Sequence, residues 1–219
     1  MKADYLARAS SETLLDPEAQ LWQTAESESF ELMGTPASMQ PTPLIRAAWT
    51  NKATGIVESV KVAALHNGSA LAIRLEWEDA SENRGHGDNT SFPDGAAIAF
   101  PVNGDAPLLS MGAEQAPINV WYWRADADGA GRQLNAVGIG TSETVDTVQV
   151  RGKGVWRDGR WRVCISRDLV VESTPPGVRL EAGGVAKFGV AIWEGSRGER
   201  GGIKAFSGPV WIDLELAAG

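Results

Sequence analysis

With 219 residues and 43% hydrophobic content the chain can bury a sizeable core, and 25 Gly, 11 Pro and nine Trp against two Tyr fit neither a disordered nor a fibrous protein. The formal net charge of −8 argues against nucleic acid, which wants a basic face, and against an anionic membrane surface; it suits a basic protein partner steered by opposite fields. The single cysteine, Cys164, leaves no intrachain disulfide, no cysteine-based zinc site and no iron–sulfur cluster held by several cysteines.

In chain order, residues 1–40 read as a polar, irregular arm able to wrap the domain or reach a partner, with one short helix from Leu14 to Trp22, Asp16 as its N-cap and Pro17 in its first turn. Pro36, Pro41 and Pro43 keep residues 34–43 extended or looped. From Ile56 the period becomes two: Val60, Val62 and Ala64, a turn at His66-Asn67-Gly68-Ser69, then Leu71, Ile73, Leu75 and Trp77 predict a hairpin with one buried face. A polar loop over 79–95 leads to a strand at 96–100, a loop with Pro101, Pro107 and Pro117, and a strand at 118–124. Asp126, Asp128 and Gly129 lack the spacing of a calcium loop and read as a plain turn within a 125–133 loop. Val145–Val150 is a predicted strand, and 154–165 a hairpin turning at Asp158-Gly159. Residues 169–179 are loop-like, Val185–Trp193 a strand, 194–202 a polar loop, and 210–216 a final alternating strand. The expected fold is mainly all-β: an antiparallel β-sandwich with a few short helices in loops, one domain over 41–219 preceded by the arm.

Most enzymatic constellations are missing. The two histidines, His66 and His86, fall in predicted turns, and there is no G-x-S-x-G, no H-E-x-x-H, no P-loop and no C-x-x-C-H. Gly138-Ile139-Gly140 is too short for a dinucleotide fingerprint, and Glu76, Glu78 and Asp79 read as solvated acids of an alternating strand. No apolar run approaches the ~20 residues of a membrane span, and the first twenty residues lack a signal-peptide core, which suits a cytoplasmic chain or a processed secreted one. Cys164 reads as a core residue. Two residues are of unexpected type for their place: Met111, a thioether in a loop beside Gly112, and Lys204, just before the last strand. For arbitrary residues the ordinary explanations are a core gap-filler and a solvated loop lysine.

The strings FPDGAAIAFP (92–101), Ser110-Met111-Gly112, NVWYW (119–123) and KAFSGPVW (204–211) resemble the haem b-binding gamma subunit of periplasmic molybdenum enzymes of the type II DMSO-reductase family. That group includes ethylbenzene dehydrogenase, dimethylsulfide dehydrogenase, selenate reductase and chlorate reductase. The resemblance implies one non-covalent haem b with Met111 and Lys204 as axial ligands, and Phe100, Trp121, Trp123 and Phe206 as candidates for the pocket wall. It also implies a periplasmic, non-catalytic electron-transfer subunit. Its partners would be a molybdenum-bearing alpha subunit, an iron–sulfur beta subunit and a soluble c-type cytochrome. Such a site is chemically coherent. A thioether favours ferrous iron and raises its potential, and burial makes the neutral lysine amine available. Two filled axial positions leave no open site for substrate. Three alternatives stay open: a carbohydrate-binding sandwich whose tryptophans stack on sugars, a haem held by Met111 with His66 or His86, and a structural subunit.

Overall fold

The computed structural model describes residues 1–87, 90–127 and 129–219. Asp128 of the 125–133 loop lies outside the described residues. Among the described residues there are fourteen strands: β1 (Lys2–Tyr5), β2 (Ser27–Glu31), β3 (Met33–Gly34), β4 (Ser59–His66), β5 (Ala70–Glu78), β6 (Gly95–Pro101), β7 (Ile118–Arg124), β8 (Gly131–Ala136), β9 (Glu143–Thr144), β10 (Arg151–Trp156), β11 (Arg160–Asp168), β12 (Val185–Trp193), β13 (Ala205–Phe206) and β14 (Ile212–Leu216). The helices are α1 (Ser11–Leu15), α2 (Leu21–Thr24) and α3 (Pro43–Trp49). None is long and apolar enough to cross a membrane.

The strands form a sandwich whose two sheets share one strand. Val185–Phe188 of β12 pairs with β14 in the first sheet, β10-β11-β5-β4-β1-β14. Gly189–Trp193 of the same strand pairs with β6 in the second, β6-β7-β8-β9. Alternation explains the core: Leu71, Ile73, Leu75 and Trp77 of β5 point in, and meet Ile98, Phe100, Trp121 and Trp123 of β6 and β7. The β10–β11 hairpin turns at Asp158 and Gly159, with φ of 55° and 71°, as a tight hairpin requires.

Residues 1–40, expected as an irregular arm, are woven into the fold. β1 runs parallel to both β4 and β14, so the first sheet is mixed, and β2 pairs antiparallel with β4. The expected 14–22 helix is two shorter ones. Ser10, not Asp16, caps α1 by accepting from the Thr13 N–H at 3.1 Å. Asp16 ends that helix in an extended conformation, because a residue before proline is forced out of the helical region. Leu14 and Trp22 then cover the outer face of the first sheet, over Ala63, Leu65, Ala72 and Cys164. The predicted strand at 145–150 is instead a turn in which the Val148 N–H reaches the Val145 carbonyl at 3.3 Å. The ladder it was expected to make is carried by β8, whose buried Gln133 and Asn135 disguised it as loop.

His66, at the end of β4, is fully buried against Tyr5, with ring centroids 5.3 Å apart and no well-formed hydrogen bond at either nitrogen. Burial lowers its pKa, outweighing the Ala217 backbone and the Asp4 carboxylate, which act in the opposite sense. With the folded value below the unfolded ~6.5, the stability it contributes is present above that pH and lost as pH falls toward the folded value. A His66→Phe chain is therefore expected to lose less stability than the wild type between pH 7.5 and 5.5 in parallel thermal melts.

Candidate functional site

A cavity of about 340 Å³ opens on the outer face of the second sheet, within the ~300–1,000 Å³ range of cofactor pockets. Its floor is made by the side chains that alternate away from the core. Ala97 and Ala99 of β6, Val120 and Tyr122 of β7, and Gly189 and Ala191 of β12 all face it. The central positions are Ala and Gly, so a flat group can lie close to the sheet. Trp193 closes one side, its ring 5.2 Å from Tyr122 and its indole N–H donating to the Gly201 carbonyl at 3.0 Å.

One wall is the loop after β6. Leu108, Leu109 and Met111 line the cavity from it. Met111 itself has φ of 59°, an uncommon value for a non-glycine residue, and its N–H bonds the Leu108 carbonyl at 3.0 Å. Gly112 follows with φ of 85°, and its N–H reaches the Pro107 carbonyl at 2.9 Å. A Cβ there would sit 2.8 Å from the Ala136 carbonyl oxygen. Gly112→Ala thus faces both a left-handed backbone and a clash, and is expected to cost about 1–3 kcal/mol in urea denaturation. From the far side, the Trp211 indole N–H donates to the Ala106 carbonyl at 2.7 Å and anchors the loop's start.

Opposite stands the loop carrying Gly201, Gly202 and Lys204, followed by Phe206 on β13. Its backbone is held by the chain's first forty residues. Thr35 donates twice to the Lys204 carbonyl, from its N–H at 2.9 Å and its hydroxyl at 3.1 Å. The buried Gln40 side chain donates to the Gly202 carbonyl at 3.0 Å, and β3 pairs with β13. The Lys204 ammonium lies 5.6 Å from the Trp193 ring centroid, and among the described residues no carboxylate pairs with it. Burial pulls its pKa from 10.5 to about 8. Roughly a tenth of the amine is then neutral at pH 7, against fewer than about one in a thousand for a free lysine.

Among the residues lining the cavity, Met111 is the single thioether and Lys204 the single amine. Neither His66 nor His86 lines it. His66 is in the first sheet, and His86 is an exposed side chain beside Phe92 and 3.9 Å from Asp126. Of the expected pocket residues, Met111, Lys204 and Phe206 come together. Phe100, Trp121 and Trp123 do not: all are fully buried on the inner face of the second sheet. Their bulk fills the core, while their strand neighbours Ala99, Val120 and Tyr122 face the cavity. Strand alternation alone carries that signal, since Trp121 and Trp123 must share a face that Tyr122 does not. Thr35 and Gln40 carried no signal in the sequence.

The fold is a β-sandwich whose second sheet carries a largely apolar cavity lined by one thioether and one amine from different loops. The family model described as Ethylbenzene dehydrogenase matches residues 19–143 and 131–205, and the chain belongs to that family. It is 38% identical over 161 residues to the chlorate reductase subunit gamma of Ideonella dechloratans, covering 72% of this chain. It is 32% identical over 192 residues, 87% of this chain, to a protein of Haloferax mediterranei described as a respiratory nitrate reductase heme subunit. The matches span 65% of the length of each relative. Among solved structures, a family 9 carbohydrate-binding module from Caldicellulosiruptor kristjanssonii in complex with glucose superposes with a TM-score of 0.55 at 12% identity, covering 100% of this chain and 96% of that one. The same module in complex with cellotriose gives 0.54 at 10%, covering 100% and 94%. That likeness is one of fold. Seven tryptophans are buried and Trp156 and Trp211 partly so, leaving none exposed as a sugar platform.

Proposed function

We propose that the slot holds one non-covalent haem b between Met111 and Lys204, and that the chain is a non-catalytic electron-transfer subunit of a molybdenum oxidoreductase. The observation that carries this reading is the pairing of one thioether and one amine, on two separately anchored loops, across an otherwise apolar cavity. The family and the names of the two relatives support it. Haem, when bound, supplies a one-electron iron couple.

The chain's own residues do the rest. Ala97, Ala99 and Ala191 leave room for a flat macrocycle, while Gly189 lets Leu108 pack close to the sheet. Met111 offers a soft sulfur from a loop that Gly112 and Trp211 hold in place. The partly buried Lys204 amine loses its proton more readily than a free lysine, and Thr35 and Gln40 hold the backbone of its loop. Apolar walls exclude water, which keeps the reorganisation accompanying electron transfer small. In this reading the molybdenum catalysis lies on an alpha subunit and the iron–sulfur relay on a beta subunit, and the chain passes electrons between that relay and a c-type cytochrome in the periplasm. The acidic balance of −8 suits a basic carrier.

Adding haem to the purified chain tests the proposal. A stoichiometric complex with a sharp Soret band, and distinct α and β bands after dithionite, is expected. A chain that stays colourless with haem, and whose tryptophan fluorescence responds to glycans, would overturn it in favour of sugar binding.

A further inference from the structure

Asp79, Asp94 and Glu194 lie beyond the haem slot, each just past the end of a different strand. Asp79 follows β5, Asp94 precedes β6, and Glu194 follows β12, so the three join the two sheets at one end. All three are buried, at 6%, 0% and 7% exposure, and one carboxylate oxygen from each lies within 4.8 Å of the others. Asp79 had read as a solvated strand acid; it is instead a core carboxylate. Surrounding donors satisfy most of the oxygens. Asp94 accepts from the Asn83 N–H at 2.8 Å, the Trp161 indole at 3.0 Å and the Gly195 N–H at 2.9 Å. Glu194 accepts from the Ser196 N–H and hydroxyl at 3.1 and 2.9 Å. Asp79 Oδ1 accepts from the Ser81 N–H at 3.0 Å. Asp79 Oδ2 is different: shielded from solvent, it makes no well-formed hydrogen bond among the described residues, and the nearby Trp77 indole N–H is likewise left without one.

Among the described residues little positive charge answers the trio. Arg197 Nε stands 3.9 Å from Glu194 on a largely exposed side chain. Arg84 lies over the Trp161 ring and donates to the Ala125 and Gly154 carbonyls. A fourth buried carboxylate, Glu199, accepts from the backbone N–H groups of Gly55, Ile56 and Glu194. Burying carboxylates together without a counter-charge is strongly unfavourable. We propose that Asp79, Asp94 and Glu194 bind a divalent cation of the calcium or magnesium class, with Asp79 Oδ2 as the ligand held ready for it. The donors are all hard oxygens, with no sulfur or imidazole among them, which selects this class over softer metals.

Burial pushes Asp79 up to about 7 and Asp94 up to about 6, with the charges of Asp94 and Glu194 adding to the effect at Asp79 and that of Glu194 at Asp94. Both folded values exceed the unfolded ones, so the stability these groups contribute is present at low pH and lost as pH rises through about 6 to 7.

The test uses the full chain at pH 8. Terbium is added with excitation of tryptophan, since Trp161 touches Asp94, and calcium and magnesium are then added as competitors. Sensitised emission displaced by calcium is expected, with a melting temperature about 5–10 °C higher in calcium at roughly a hundredfold above Kd than in EDTA. Asp79→Asn should lose at least tenfold in terbium affinity while melting no lower than the wild type in EDTA, because it removes an uncompensated charge. Glu194→Gln provides a second readout of lost affinity should Asp79→Asn misfold. A wild-type chain that sensitises no terbium, and melts alike in calcium, magnesium and EDTA, overturns the proposal.

Discussion

Replacing Lys204 with Ala in the haem-loaded chain is expected to abolish the six-coordinate low-spin spectrum and to weaken haem binding by at least about tenfold, ~1.4 kcal/mol. The amine is the single nitrogen donor of its kind in the cavity, and the nearest alternatives, His66 and His86, do not line it. A companion Met111→Ala change should keep the lysine but lower the reduction potential, by on the order of 100 mV within the ~0.8 V over which axial ligands act. The two outcomes differ in kind, which separates ligand loss from a general loosening of the slot. A Lys204→Ala chain with an unchanged low-spin spectrum would show that another group holds that face.

The second large effect concerns Arg167, whose guanidinium is buried with 1% exposure and stacks on Trp121 at 4.7 Å from the ring centroid. It comes from β11 in the first sheet and donates across the core to the side-chain oxygens Gln133 Oε1 at 2.8 Å and Asn119 Oδ1 at 3.3 Å, both in the second. It also donates to the Val178 carbonyl at 2.6 Å. Asn119 in turn donates to Asn135 at 2.7 Å and accepts from the Trp121 indole at 3.1 Å. Burial brings the Arg167 pKa down to about 10, so it stays charged at neutral pH. Arg167→Ala would strand several buried acceptors at once and should cost about 3–5 kcal/mol in urea denaturation. Arg167→Lys keeps the charge but not the planar fork, and should recover only part of that loss. Since Asn119 and Trp121 alternate with Val120 and Tyr122 along β7, the same network braces the slot floor from behind.

The fold was readable where chemistry is local. The period-two runs of β4 and β5, the Asp158-Gly159 turn and the final strand needed only neighbouring residues. What escaped depended on distant partners. β8 looked like loop because Gln133 and Asn135 are polar, and their burial makes sense only beside Arg167. β1 is four polar-flanked residues whose ladder partners lie some sixty and two hundred positions away. In the site, Met111, Lys204 and Phe206 were recoverable through the family motifs. The small-residue floor was not, because alanine and glycine mark a surface only by what they leave out.

The parallel pairing of β1 with β14 sets Lys2 beside Glu215 and Ala3 beside Leu216. That contact closes a loop of nearly the whole chain, the slowest kind to form. The Lys204 loop belongs to the same late segment, between β12 and β14, whereas the Met111 loop sits between two strands of an early local hairpin. During synthesis the thioether side of the slot is therefore available well before the amine side. Both walls of the slot are therefore in place only once the first sheet has closed.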